Sequence, residues 1–170
     1  MKPTKSGRLP IQMAAASCDF GDKVAYDITT FLFDHVPPRE ILAYNDKSGR
    51  GLLQDAVVAR NLGLVRFLLN QGANPNQVDS IGRSVIHHAA MMGHLDVLEM
   101  LLDNTALCWD SPDAWDNWTP LMHAARQGHF PIVQFLVKQG LADKNRRDKH
   151  GRTAKDLGNV YKLAKYRSIV

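Results

Sequence analysis

Seven histidines, two cysteines and three tryptophans are the side chains of this 170-residue sequence best suited to do chemistry. Histidines become metal ligands or acid–base groups when several converge with a carboxylate or a thiol. Here His94 and His129 recur at one interval, and His88 and His123 recur at the same interval, so they are spaced by a period and not gathered at a site. His87 and His88 are neighbours in sequence and point apart on a helix, which is poor geometry for chelation. Cys18 and Cys108 form no CxxC and no Cys/His cluster, so two reduced thiols and no metal are expected. No nucleophile elbow, Walker-type glycine loop or dinucleotide fingerprint occurs. Aspartates are scattered over turns, and Glu40 and Glu99 are the only glutamates. The chemistry-bearing residues argue against an enzyme, and no cofactor is expected.

The elements that position these residues follow from a repeat. Four segments align on a shared start: Asp46-Lys47-Ser48-Gly49-Arg50-Gly51, Asp79-Ser80-Ile81-Gly82-Arg83-Ser84, Ala114-Trp115-Asp116-Asn117-Trp118-Thr119 and Asp148-Lys149-His150-Gly151-Arg152-Thr153. Their starts lie 33, 35 and 34 residues apart. The fourth position reads Gly, Gly, Asn, Gly, the residues that reach positive φ most cheaply, so each segment is a turn. Ser84-Val85-Ile86-His87-His88-Ala89-Ala90 then lines up with Thr119-Pro120-Leu121-Met122-His123-Ala124-Ala125. Thr119 suits an N-cap and Pro120 the first helical position, and Gly93 and Gly128 stop this short first helix. A second helix carries an apolar stripe each time: Leu64, Val65, Leu68, Leu69; Val97, Leu98, Leu101, Leu102; Ile132, Val133, Leu136, Val137. One such unit cannot bury its stripe alone, so the units must stack.

These residues resemble the ankyrin-repeat family: the period near 33, Thr119-Pro120-Leu121 with Ala124-Ala125, the Gly-His pairs and Gly72-Ala73-Asn74-Pro75-Asn76 carry the likeness over Asp46 to about Leu157. The resemblance implies an all-α ankyrin-repeat solenoid of helix-turn-helix units joined by hairpin-like turns. Repeats are expected at 46–78, 79–113 and 114–147, with a divergent capping repeat at 1–45 and a truncated one with a basic tail at 148–170. In the first, Leu9-Pro10-Ile11 opens a degenerate helix, Ile28, Phe31 and Leu32 form the second-helix stripe, and an insertion falls in Cys18 to Asp27. The resemblance also implies that the recurring histidines satisfy backbone groups near the loops.

A non-catalytic protein-binding module is the function so implied, acting as an adaptor or a masking inhibitor through hairpin tips and the concave first-helix face. Trp115 falls in the turn-tip column, and Trp118 in the column of Arg50, Arg83 and Arg152. Met91 and Met92 fill the variable positions of a first helix, matching Arg126 and Gln127. Ile81, Met91, Met92, Trp115 and Trp118 then form an apolar centre rimmed by Arg83, Arg126, Gln127, His150 and Arg152. The alternative for the tryptophans is that they pack on one another.

The net charge of +4 hides an asymmetry, because residues 144–170 hold nine Lys or Arg against Asp148 and Asp156. That basic end supports a second reading, nucleic-acid association, although the aromatic interleaving of single-strand binders is missing. The last residues, Ser168-Ile169-Val170, match a loosely defined PDZ ligand. No apolar run reaches membrane-span or signal-peptide length, so a cytosolic protein, monomeric when free, is expected, with the host cytosol or the nucleus as variants of that location.

Overall fold

The computed structural model describes residues 4–16, 21–103 and 107–159. Two compact units make up the chain, Met1–Ser80 and Ile81–Val170. The first holds α1 (Pro10–Ala16), α2 (Gly21–His35), α3 (Pro38–Leu42), α4 (Leu52–Val58) and α5 (Leu62–Asn70). The second holds α6 (Val85–Met92), α7 (Leu95–Leu101), α8 (Pro120–Gln127), α9 (Phe130–Lys138) and α10 (Ala154–Asn159). Among the described residues the only strand-like pairing is an isolated bridge between Asn45 and Gly51. The fold is all-α, as the repeat pattern predicts.

Several helices start or stop for a readable reason. Thr119 Oγ1 accepts the Met122 amide 3.3 Å away, and Asn61 Oδ1 accepts the Leu64 amide at 2.9 Å. In α4 and α6 the reach runs backward: Gln54 Oε1 accepts the Gly51 amide at 2.8 Å, and His87 Nδ1 accepts the Ser84 amide at 3.2 Å. Gln54 and His87 thus do one job in one repeat column. Gly93 and Gly128 close α6 and α8 at φ 80°. The same column holds Arg60 after α4, and its backbone takes φ 59° with a Cβ in place.

Within each unit, first helices pack on first helices, α1 on α4 and α6 on α8 on α10, and second helices close the outer side. Leu64, Val65 and Leu68, Val97, Leu98 and Leu101, and Ile132, Val133 and Leu136 are buried. The fourth member of each stripe, Leu69, Leu102 or Val137, is half-buried at the stripe's edge. Paired alanines, Ala89-Ala90 and Ala124-Ala125, are sealed between α6 and α8 and let the backbones approach.

The N-terminal pair departs from the expected register. Ile28 and Phe31 are exposed, and Leu32 is half-buried. The side chains turned inward are Ala25 and Thr29, whose spacing matches Leu64 and Leu68, with the Thr29 hydroxyl donating to the Ala25 carbonyl at 2.7 Å. Tyr26 and Phe33 meet Phe67 edge-on at 5.5 and 5.2 Å between ring centres. Small residues therefore set the approach of α2 to α5, and the aromatic rings flank it. The extra residues lie mostly after the buried pair, in the long end of α2 and in α3, and not chiefly in Cys18 to Asp27.

Replacing Arg60 by glycine relieves a left-handed backbone that a Cβ disfavours, at the cost of a looser unfolded chain. Arg60→Gly is expected to stabilise the protein by about 1 kcal/mol, read from the midpoint of urea unfolding. A loss of stability would mean that the Arg60 side chain contributes more than its backbone costs.

Candidate functional site

The predicted site falls within the second unit, where its frame is a set of buried aspartates. Asp148 receives the His150 and Arg152 amides on Oδ1, both at 2.8 Å, and its own amide donates to the Arg152 carbonyl at 2.9 Å. Asp113 does the same one repeat earlier: Oδ1 accepts the Asp116 and Trp118 amides, both at 3.1 Å, and its amide donates to the Trp118 carbonyl at 2.8 Å. In the first unit Asp46 accepts the Ser48 and Arg50 amides at 2.8 and 3.0 Å. The aspartate that opens the third turn is therefore Asp113, and Ala114 is not its equivalent. Counted from Asp113, the turn is one residue wider than its siblings. Asn117 at φ 57° takes the place of Gly49 and Gly151.

The second oxygen of each aspartate looks to the preceding repeat. Arg8 Nε donates to Asp46 at 3.2 Å, Arg83 Nε to Asp113 at 3.4 Å, and the Trp118 indole N–H to Asp148 at 3.0 Å. An indole thus stands where the other repeats place a guanidinium. Trp118 is half-buried, its ring 5.2 Å from that of His123 and its face 5.8 Å from the Arg152 guanidinium. Arg152, at the end of the column, binds its own Asp148 at 2.7 and 2.8 Å. Trp118, expected in the apolar centre of the binding face, therefore spends its N–H inside the unit, as Arg83 and Arg152 spend theirs.

Trp115 behaves differently. Its side chain is 66% exposed while its backbone is clamped. The Lys149 ammonium donates to the Trp115 carbonyl, and the Lys149 amide donates to the Asp116 carbonyl at 3.1 Å. On the other side the Ala114 amide donates to the Ile81 carbonyl at 2.9 Å. Ile81 and Met91 are half-buried, Met92 is 46% exposed, Arg126 is half-buried and Gln127 exposed. Met91-Met92 and Arg126-Gln127 end the neighbouring helices α6 and α8, which His129 ties together through a 2.9 Å contact from Nε2 to the Met91 carbonyl. His150 is exposed, 3.9 Å from the Asp116 carboxylate. Trp109 is buried, its ring 6.3 Å from that of Phe135.

Electrostatics follow burial. Burial alone would raise the Asp148 carboxyl, but the bonds from Arg152, Trp118 and His150 outweigh it and hold the group at about 2. Asp113 is likewise held below the usual carboxylate range, against burial, by His123, Asp116 and Trp118. His87 is fully buried, and that burial, with His123 beside it at 5.8 Å between rings, pushes it down to about 4. Burial also lowers His123, against the 3.0 Å bond to Asp113. Among the described residues no group of His, Cys, Asp or Glu could hold a metal ion, and no helix is long and apolar enough to cross a membrane. Cys108 is an exposed thiol; Cys18, the tail from 160 and Ser168-Ile169-Val170 lie outside the described residues.

Comparison with known proteins gives a consistent match. Residues 53–102 and 86–137 fit the family described as "Ankyrin repeats (many copies)". The probable 26S proteasome regulatory subunit p28 of Saccharomyces cerevisiae is 28% identical over 166 residues, which is 96% of this chain and 68% of that protein. The 26S proteasome non-ATPase regulatory subunit 10 of Dictyostelium discoideum is 35% identical over 91 residues, 52% of this chain and 38% of that protein. Ankyrin repeat protein nuc-2 of Neurospora crassa is 29% identical over 100 residues, covering 59% of this chain. This chain spans only 9% of nuc-2, and about two thirds of the yeast protein.

The His87 ring gives the site a pH signature. Its folded value near 4 lies below the unfolded 6.5, so the unfolded chain takes up the proton first as the pH falls. The stability this neutral ring carries is complete above pH 6.5 and is lost as the pH drops towards 4. His87→Gln, which reproduces the Gln54 arrangement, should lose about 3 kcal/mol less than the wild type between pH 7 and 4. Urea unfolding at stepped pH reads this directly, and identical pH profiles would refute it.

Proposed function

Because this chain belongs to the ankyrin-repeat family, we propose that it is a non-catalytic protein-binding module that engages its partner through the third hairpin tip and the ends of α6 and α8. Ankyrin repeats imply protein–protein interaction as the general role, and the fold alone fixes nothing finer. The observation that carries the finer reading is Trp115, a large apolar side chain left 66% exposed on a backbone held from both sides. Leaving an indole in water is costly, and one carried on a fixed backbone loses no backbone entropy on binding, which is the profile of an interface anchor. Met92, Ile81 and Met91 supply adaptable apolar contact, and Arg126, Gln127 and His150 supply a polar rim. Arg83, Trp118 and the exposed Arg152 support this surface by fixing the turns that carry it.

An adaptor role in a larger assembly is supported by the two relatives named as proteasome regulatory subunits. Work in the cytoplasm or nucleus accords with that likeness. Nucleic-acid association through the basic end is the competing reading.

Capture of partner proteins from cell lysate on the immobilised chain, followed by titration of the captured species, tests this. Trp115→Ala, and Met91→Ser combined with Met92→Ser, should each weaken binding by about 1–4 kcal/mol and leave the melting midpoint nearly unchanged. Trp118→Phe should instead lower stability by about 1–3 kcal/mol, since it takes a donor from buried Asp148. Unchanged affinity in the Trp115 and methionine variants, with affinity lost in Lys162→Glu combined with Lys165→Glu, would move the site to the basic end.

A further inference from the structure

The turn that clamps Trp115 also carries a cluster of exposed cations. Between α9 and α10, Lys144, Arg146, Arg147, Lys149 and Arg152 are all exposed, as is His150. Of the two carboxylates in that stretch only Asp143 is exposed, because the Asp148 side chain is fully buried among its amide, guanidinium and indole donors. Arg152 is matched by Asp148, Arg146 by Asp110 at 3.1 Å and Arg147 in part by Asp156, so the net positive excess is spread over Lys144, Arg147 and Lys149. Arg147 donates to the Gly151 carbonyl at 2.6 Å, and Lys149 to the Ala114 and Trp115 carbonyls. Those acceptors are neutral and fix the two side chains in place, while the exposed Asp143 and Asp156 carboxylates offset only part of the cluster's charge.

We propose that the partner surface is an acidic peptide segment bearing a large apolar side chain, laid across this cationic turn with that side chain against the Trp115 indole. The inference rests on the reading of Trp115 as an interface anchor. Charge complementarity selects the sign of the segment: cations held by neutral backbone acceptors meet carboxylates at little reorganisation cost. The exposed indole selects for an apolar residue between those carboxylates, and Lys149, bonded to the Trp115 carbonyl itself, holds the two features in register. A peptide is favoured over a nucleic acid because the described surface offers one exposed indole, and not the succession of stacking rings that a single strand uses.

Panning phage-displayed random peptides against the full chain tests both layers separately, with poly(U) as a parallel probe. Enriched peptides should be rich in Asp and Glu around a Phe, Trp or Leu. Synthetic versions should bind at least about tenfold more weakly to Trp115→Ala and to Lys144→Glu combined with Arg147→Glu, both of which should melt like the wild type. Enriched peptides that need Trp115 but are neutral or basic would overturn the acidic segment and leave the anchor standing. Enrichment indifferent to Trp115 would overturn both. Binding of poly(U) that depends on Trp115 and competes with the peptides would replace the proposal with a nucleic-acid site.

Discussion

A buried carboxylate at the head of three hairpin turns is the interaction on which the rest of this structure depends. Asp46, Asp113 and Asp148 each take two backbone amides of their own turn on one oxygen. The other oxygen takes a donor from the repeat before, Arg8, Arg83 or Trp118. A turn of this kind has more amide donors than its backbone can satisfy, and a charged acceptor makes stronger bonds than a neutral one. The carboxylate is therefore both the inner scaffold of a turn and the link to its neighbour. The apolar stripes beneath supply cohesion between helix pairs, but they are tolerant of small shifts. The hydrogen bonds at the tips fix where each turn stands.

This division of labour explains which side chains are available for binding. Residues that look inward from the turns are consumed: Arg83 by Asp113, Arg152 by Asp148, and Trp118 by Asp148 through its indole N–H. Trp115, at the tip, commits only backbone groups to this frame, and its side chain stays exposed. An exposed tryptophan at that position, on a backbone pinned by Ile81 and Lys149, is then a feature for which stability offers no reason.

Much of the fold was legible because it is local and periodic. Caps, stop signals and the i, i+1, i+4 burial recur with each unit, so several copies of one signal correct one another. Where copies were missing, the reading slipped. In α2, bulk suggested Ile28 and Phe31 for the core, whereas the close approach to α5 selected Ala25 and Thr29. In the third turn Asp113 was overlooked, because counting from Trp118 backward places Ala114 in the aspartate column. Only the amide bonds to Asp116 and Trp118 reveal that the turn is one residue wider. Trp118 shares its column with arginines, and that column alone does not say which way an indole turns. A signal was present, since a residue in the Arg8, Arg50, Arg83 and Arg152 column should carry an N–H donor, and an indole has one.

Amide hydrogen exchange on Asp113→Ala, followed residue by residue by NMR, tests the role of the turn carboxylate most directly. If the carboxylate holds the turn, protection of the Asp116 and Trp118 amides should collapse and that of the Lys149 amide should fall with them. The amides of α9 should remain protected. Undiminished protection at Asp116 and Trp118 in a folded Asp113→Ala protein would contradict the account, because the turn would then be standing without its carboxylate.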